Sequence, residues 1–394
     1  MQANDLDTAL ARHGLSFAEL QTPEGLTRLD AAFLGTLERA DPALAARLRD
    51  FRERRNPLPP LAASELLIAL GPRLETFVAE AFGIREPLAE LNAAILAEDP
   101  VFLFKREVVQ KRARRRARGP EPDFTELDRW LDEAIAGSTP DRERAVAEYA
   151  RDLLADEDAN AEPLERLTAW CRQVRNDPQA AETVRGWASF QLPEKVDHAR
   201  LVPLQRSDAD GMARLQAEPS RWRRRDGFTL TDARMGQREV QGQVHYCIYC
   251  HDHDGDFCSK GFPEKKAAPE LGFKADPLGV TLTGCPLEEK ISEMHLMRRD
   301  GHAIAALAVA MADNPMIPAT GHRICNDCMK ACIYQKQDPV NIPEIETRSL
   351  TDVLGLPWGV EVYHLLARWN PLRRRQYLQS PDNGRRVLVA GLGP

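Results

Sequence analysis

Cysteine is the residue type whose placement in this 394-residue sequence bears most directly on chemistry. There are eight, and Cys171 stands alone in the first 246 residues. The other seven fall between Cys247 and Cys332. The first group is Cys247-Ile248-Tyr249-Cys250, followed by Cys258 in Asp256-Phe257-Cys258-Ser259-Lys260-Gly261. Gly284-Cys285-Pro286 comes next, and Cys325-Asn326-Asp327-Cys328-Met329-Lys330-Ala331-Cys332 closes the set. An odd, crowded set, with no export-type segment at the N-terminus, argues against a disulfide framework and for metal. Thiolate-only ligation selects zinc, copper(I) or iron–sulfur clusters.

The ligand count narrows the choice. Two four-coordinate clusters, or two zinc ions, need eight protein ligands, and the seven clustered cysteines fall one short. His251 and His253 are available to complete a zinc site. A zinc ribbon usually has about 15–20 residues between its two pairs, whereas Cys250 and Cys325 are much further apart. Cys285-Pro286 is a pair common in cluster-binding runs. On this chemistry iron–sulfur is favoured over zinc. The competing reading is a structural zinc module that mediates protein or nucleic-acid binding, which predicts a colourless, redox-silent protein.

The elements that must position these thiols are helices. Leu26, Leu29, Phe33, Leu34 and Leu37 recur at helical spacing, then Leu44, Leu48 and Phe51. Asn56-Pro57-Leu58-Pro59-Pro60 reads as a break, and Leu66 to Phe82 as an amphipathic helix ended near Gly83. Further helices are expected over 86–98, 101–117, 123–136, 141–156, 162–175 and 179–190. Cys171, between Trp170 and Arg172 in a helical pattern, reads as a buried structural thiol. Near residue 227 the texture changes, and the stretch to Cys250 reads as short extended pieces. The expected organisation is a helical domain over 1–235, a cysteine domain over 236–380 and a terminal strand over 385–394.

The charged runs and histidines have ordinary readings. Lys105, Arg106, Lys111, Arg112, Arg114, Arg115, Arg116 and Arg118 suit a solvated helix face with its cations near the C-terminal end. A contact surface for an anion or nucleic acid is the other reading. Arg221-Trp222-Arg223-Arg224-Arg225 is read similarly. Phe102 and Phe104 fit a core face better than a base-stacking platform. His251 and His253 read as loop residues, His245, His302 and His322 as structural, and His295 as packing on the helix after Pro286.

Composition bounds the remaining choices. Hydrophobic residues make up 43%, enough for a sizeable core, and a net charge of −7 argues against a chain coated in basic charge. The longest apolar run, Ala303 to Ala312, is too short to span a bilayer. No signal peptide is recognisable, so the expected compartment is the cytoplasm.

The order of the motifs from about residue 245 onward resembles the N-terminal iron–sulfur domain of the glutamate synthase small subunit. Dihydropyrimidine dehydrogenase and related flavin-dependent oxidoreductases carry a similar domain. The resemblance rests on Cys247-x-x-Cys250, Phe257-Cys258, Gly284-Cys285-Pro286 and Thr320-Gly321-His322-Arg323-Ile324-Cys325. It continues through Pro339-Val340-Asn341-Ile342-Pro343-Glu344-Ile345-Glu346 to Val387-Leu388-Val389-Ala390-Gly391-Leu392-Gly393. The first group is looser than the family pattern, and an insertion carrying Lys265, Lys266, Pro269 and Pro277 reads as a surface loop. The second group is slightly shorter than in the relatives.

The resemblance implies an α-helical ferredoxin-like domain with two [4Fe–4S] clusters. Cys247, Cys250 and Cys258 would hold one, and Cys285, Cys325, Cys328 and Cys332 the other. Glu346, where dihydropyrimidine dehydrogenase has a glutamine, is the candidate non-cysteine ligand. It is equally an acid placed in the first turn of a helix begun near Pro343. Gly391 and Gly393 match the start of an FAD-binding G-x-G-x-x-G turn. No crossover helix follows, so the expectation is a fragment of a longer FAD- and NAD(P)H-dependent protein. Its expected partners are a flavin domain of the same protein and a redox subunit or domain, with neither membrane nor nucleic acid.

Overall fold

In the computed structural model the chain is mainly α. The structure describes residues 3–391 except 55, 116–121, 203, 209–210, 218, 220–221, 223–226, 228–233, 254, 266–267, 322–323, 376–382 and 389. The first helices are α1 (Ala3–Ala11), α2 (Pro23–Ala40), α3 (Pro42–Glu53), α4 (Pro60–Phe82) and α5 (Arg85–Leu96). Local chemistry sets their ends. Thr22 and Asp41 cap α2 and α3 by accepting from Gly25 N and Leu44 N, and each helix starts on a proline. Gly83 closes α4 in the left-handed conformation at φ 64°, as the sequence predicts.

Helix α6 (Asp99–Phe104) runs on as a π-helical stretch, Lys105–Arg112. It packs with α7 (Phe124–Ala134), α8 (Arg142–Ala155), α9 (Ala161–Asn176) and the short α10 (Pro178–Ala181). The last expected helix of this part is shorter than the predicted 179–190, breaking up after a 3-10 turn at Val184. Cys171 is buried among these helices, as its neighbours predict. A two-stranded antiparallel ribbon, β1 (Leu204–Ser207) and β2 (Arg214–Ala217), is the only sheet among the described residues.

The cysteine half begins with α11 (Gln237–Tyr246), which replaces the expected extended pieces with a helix. Val240, Gln241 and Val244 form its buried stripe, a helical spacing that the glycines at 236 and 242 obscured. Then come α12 (Phe257–Lys260), α13 (Ile291–Arg299), α14 (Ala303–Asp313), α15 (Ile317–Thr320), α16 (Asp327–Lys330), α17 (Ile342–Leu354) and α18 (Gly359–Arg368). The apolar run of the sequence is α14, buried along almost its whole length. No helix is long and apolar enough to cross a membrane among the described residues.

The apolar cores do not divide at residue 235. Buried side chains from Leu10 to Ile95 share one cluster with those from Val240 to Leu372. A second cluster gathers Val101 to Ala188. Helix α14 packs on α4 as closely as on α17, so the N-terminal helices supply one wall of the cysteine half. Arg238 bridges the two cores, with Glu98 at 2.5 Å, Asp141 at 2.5 Å and Glu143 at 3.0 Å.

At the C-terminal end, Arg385–Leu388 is not a strand, and Val387 and Leu388 are exposed. A lone extended segment has no ladder to join, and no strand lies beside it among the described residues. Gly391 has φ 95°, in the region glycine favours, while Gly393 lies outside the described residues.

Candidate metal centre

Short helices and tight turns bring the thiols together. Cys247 follows the last residue of α11, and Tyr249 beyond it has φ 52°. That left-handed residue folds the chain back, so that Cys250 opens a 3-10 turn and Cys258 sits on α12. Gly261 and Gly284 then meet backbone to backbone. A Cβ on Gly284 would lie 2.3 Å from Gly261 N, so a side chain there would force the strands of the loop apart. This close approach seats Cys285, whose N–H donates to Cys258 O at 2.9 Å. Among its described residues the inserted stretch is loop with one 3-10 turn, Pro269–Leu271, pinned by isolated bridges Pro263–Phe273 and Ala275–Thr281, and Lys266 lies outside the described residues.

The seven cysteines form two adjacent groups. Cys247, Cys250, Cys258 and Cys332 line one cavity, together with Ser292, His295 and the apolar Ile333, Val340 and Ile342. Its free volume is small, about 20 Å³. The second group surrounds Cys328, which lies in electrostatic reach of Cys285, Cys325, Glu346 and Glu289. The resemblance implies Cys332 in one group with Cys328, whereas the cavity it lines is that of Cys247, Cys250 and Cys258. The physical reason is the length of α16. It ends at Lys330, so the chain reverses before a continued helix could keep Cys332 on the face of Cys328. Cys258 and Cys328 are near neighbours and connect the groups.

Electrostatically the site resists anions that have no cation to hold. Burial pushes the Cys247 thiol up to about 12 and those of Cys250 and Cys285 up to about 11. Cys258 and Cys328 are raised further by the same cause. Backbone N–H groups act in the opposite sense. Tyr249 N donates to Cys247 Sγ at 3.4 Å, and the Cys332 sulfur receives main-chain donors from Tyr334, Val340 and Ile333. Such donors are the usual surroundings of a metal-bound sulfur. Without metal the thiols stay protonated at neutral pH, and binding metal must release those protons.

Glu346 lies on α17 and is buried. Burial and then Glu289 raise its carboxyl well above the ordinary range, and the two acids share a hydrogen bond. Glu289, raised to about 7 by burial, also bonds Asn314. Gly321, in the turn before Cys325, sits against Glu346 Oε2, 3.7 Å from where its Cβ would be. Glu346 is thus placed with the three-cysteine group. Glu289 was not anticipated from the sequence, where it is one acid of Leu287-Glu288-Glu289-Lys290 with no distinguishing spacing.

The donor set is four thiols around one cavity, and three thiols with two buried carboxyls beside it. No three His, Cys, Asp or Glu side chains converge as ligands of one ion among the described residues.

Other anticipated residues have structural partners. His245 stacks on Phe102 and bonds Asp99 Oδ1 at 3.1 Å, and His302 bonds Glu75 Oε1 at 3.0 Å. His251 is buried with Asp252 at 3.0 Å, whereas a loop position in solvent was expected. In the basic run, Lys111 pairs with Glu107 and Arg112 with Glu157. Lys105 instead points inward to Ala188 O. Arg116, Arg118, Arg221, Arg223, Arg224, Arg225 and His322 lie outside the described residues.

Against known proteins, residues 11–83 match the RP005 N-terminal alpha-helical domain. RP005 of Rickettsia prowazekii is 26% identical over 306 residues, covering 72% of this chain and 96% of that protein. RP006 of the same organism is 61% identical over 79 residues, 20% of this chain but only 11% of its own length. The chain therefore corresponds to nearly all of one relative and a small part of the other. Both relatives are uncharacterized proteins, so the likeness transfers no activity. No solved structure matches the chain.

Proposed function

We propose that this chain is the iron–sulfur portion of an FAD- and NAD(P)H-dependent oxidoreductase, relaying single electrons in the cytoplasm between a flavin and another redox centre. The observation that carries the reading is the gathering of seven cysteines and Glu346 into two adjacent groups, one of them four thiols about a single cavity. In this reading the first centre is held by Cys247, Cys250, Cys258 and Cys332, and the second by Cys285, Cys325, Cys328 and Glu346. The domain is of the α-helical ferredoxin-like kind. Iron–sulfur clusters supply one-electron storage, which lets a flavin that accepts a hydride pair discharge it in single steps.

The chain's own residues do the rest. The apolar side chains of Ile333, Val340 and Ile342 exclude water, and main-chain N–H groups around Cys247 and Cys332 favour the sulfurs' negative charge. The contact of Cys258 with Cys285, through one backbone hydrogen bond, holds the two groups of thiols side by side. Gly391 and Gly393 would open the phosphate turn of an FAD site.

Iron, acid-labile sulfide and zinc content, measured on protein purified without oxygen, tests the proposal. About eight iron and eight sulfide per chain are expected, with a brown absorption that bleaches on reduction. Zinc without sulfide or colour would replace this reading with the structural zinc module.

A further inference from the structure

We infer that Ser292 and His295, one turn apart on α13, are hydrogen-bond donors to the sulfurs of the group held by Cys247, Cys250, Cys258 and Cys332. The inference rests on the cluster reading above and concerns two side chains that no cysteine pattern points to.

Both side chains line the four-thiol cavity. Both are inaccessible to solvent, at 1% and 0% exposure. Ser292 Oγ and both ring nitrogens of His295 have no hydrogen-bond partner among the described residues. A buried polar group without a partner is costly and uncommon, and where one occurs it asks for an explanation. Two such groups on one face of one helix, aimed at one cavity, ask for a common one. Positions three apart lie together on a helix, so the same acceptor surface serves both.

Two of the other histidines make the contrast. His245, on α11, and His302, at the N-cap of α14, are also partly buried, and each finds a carboxylate, at 3.1 Å and 3.0 Å. His295 has no carboxylate, carbonyl or amide as a partner; it has the cysteine cavity. A neutral imidazole in either tautomer keeps one N–H to give. A neutral donor suits this place better than an acid would. Sulfur ligands carry the negative charge, and each electron accepted adds to it. N–H and O–H groups aimed at those sulfurs stabilise the reduced state and raise the potential. Ser292 and His295 are therefore positioning residues that set the potential of the first centre. The second centre, around Cys328, does not include them.

The test uses the full chain, purified without oxygen, with redox titrations followed by electron paramagnetic resonance. His295→Leu should keep both centres but move one midpoint potential to more negative values, leaving the other where it was. Ser292→Ala should move the same one, and by less. His295→Gln, which restores an N–H, should return part of the shift. Unmoved potentials in loaded His295→Leu and Ser292→Ala would overturn the inference.

A measurement on the unmutated chain guards against variants that fail to fold. With 15N-histidine incorporated, pulsed resonance on the reduced protein should detect a weak histidine nitrogen coupling at one centre only. Absence of that coupling overturns the assignment, and a coupling of ligand strength overturns it by making His295 a direct ligand. If the unmutated protein holds no iron and sulfide, it is the cluster reading itself that fails, before any variant is compared.

Discussion

At the scale of single residues, Cys332 and Glu346 separate two ways of dividing the eight ligands of the proposed clusters. The structure places Cys332 with Cys247, Cys250 and Cys258, and Glu346 with Cys328. Cys332→Ser is therefore expected to remove the same resonance signal that Cys247→Ser removes, and to spare the signal lost in Cys325→Ser. Loss of the Cys325-dependent signal instead would return Cys332 to the other group. Glu346→Ala should change occupancy or potential only at the Cys325-dependent centre. Unchanged iron content, spectra and potentials at both centres would remove Glu346 from the ligand set. The sequence was informative here because cysteine is a rare residue with few roles, so its spacing alone singles out these positions. Glu289, Ser292 and His295 were not legible, because acids, serines and histidines on helices are ordinary until their neighbours are known.

At the scale of elements, the start of α14 is held from outside its own sequence. Helix α14 has no side-chain cap of its own at His302. Glu75 of α4 takes that role, accepting from Ile304 N at 2.8 Å and Ala305 N at 3.2 Å. Asn92 adds Ala303 N at 3.1 Å. The buried carboxylate also bonds the Asn92 amide at 2.9 Å and the His302 ring at 3.0 Å. Glu75→Ala leaves these donors unpaired, at a cost of about 3 kcal/mol in urea unfolding. An equal midpoint for variant and parent would refute the capping role. His302 supplies a pH signature. Its hydrogen bond to Glu75 raises its pKa above the ordinary value of 6.5. Stability from this pair is present in full below about pH 6.5 and is lost as the pH rises through the raised value. Unfolding midpoints should decline across that window, and His302→Gln should flatten the decline; a slope identical in the two proteins would rule the pair out as its source.

At the scale of the whole molecule, chain order and core membership part company. Residues 10–95 and 240–372 share an apolar core, while 101–188 build a second one between them in sequence. The segment leaving the second core also runs back along the cysteine half, with Asp338 N bonded to Glu194 O at 2.9 Å and Val196 N to Lys336 O at 3.2 Å. Arg238 is the main ionic tie between the cores, half-buried among three carboxylates. Removing it leaves Glu143 and Glu98 without their cation in partly buried positions. Arg238→Ala should destabilise by about 2 kcal/mol and split calorimetric unfolding into two resolved transitions. A single transition at the parental temperature would show that the cores are coupled by other contacts.

The sequence by itself determined the helical class, most helix positions before residue 180 and the burial of Cys171. Those features are local. Apolar period, proline and glycine punctuation and the chemistry of a thiol are all read along the chain. Tertiary structure alone decided the helix at α11, the joining of the N-terminal helices to the cysteine half, the side of Cys332 and the company of Glu346. Each depends on which segments meet, and burial and electrostatics act between residues that the sequence leaves far apart. The thiols were visible as letters, but only packing could say which four face one another and which neutral donors look on.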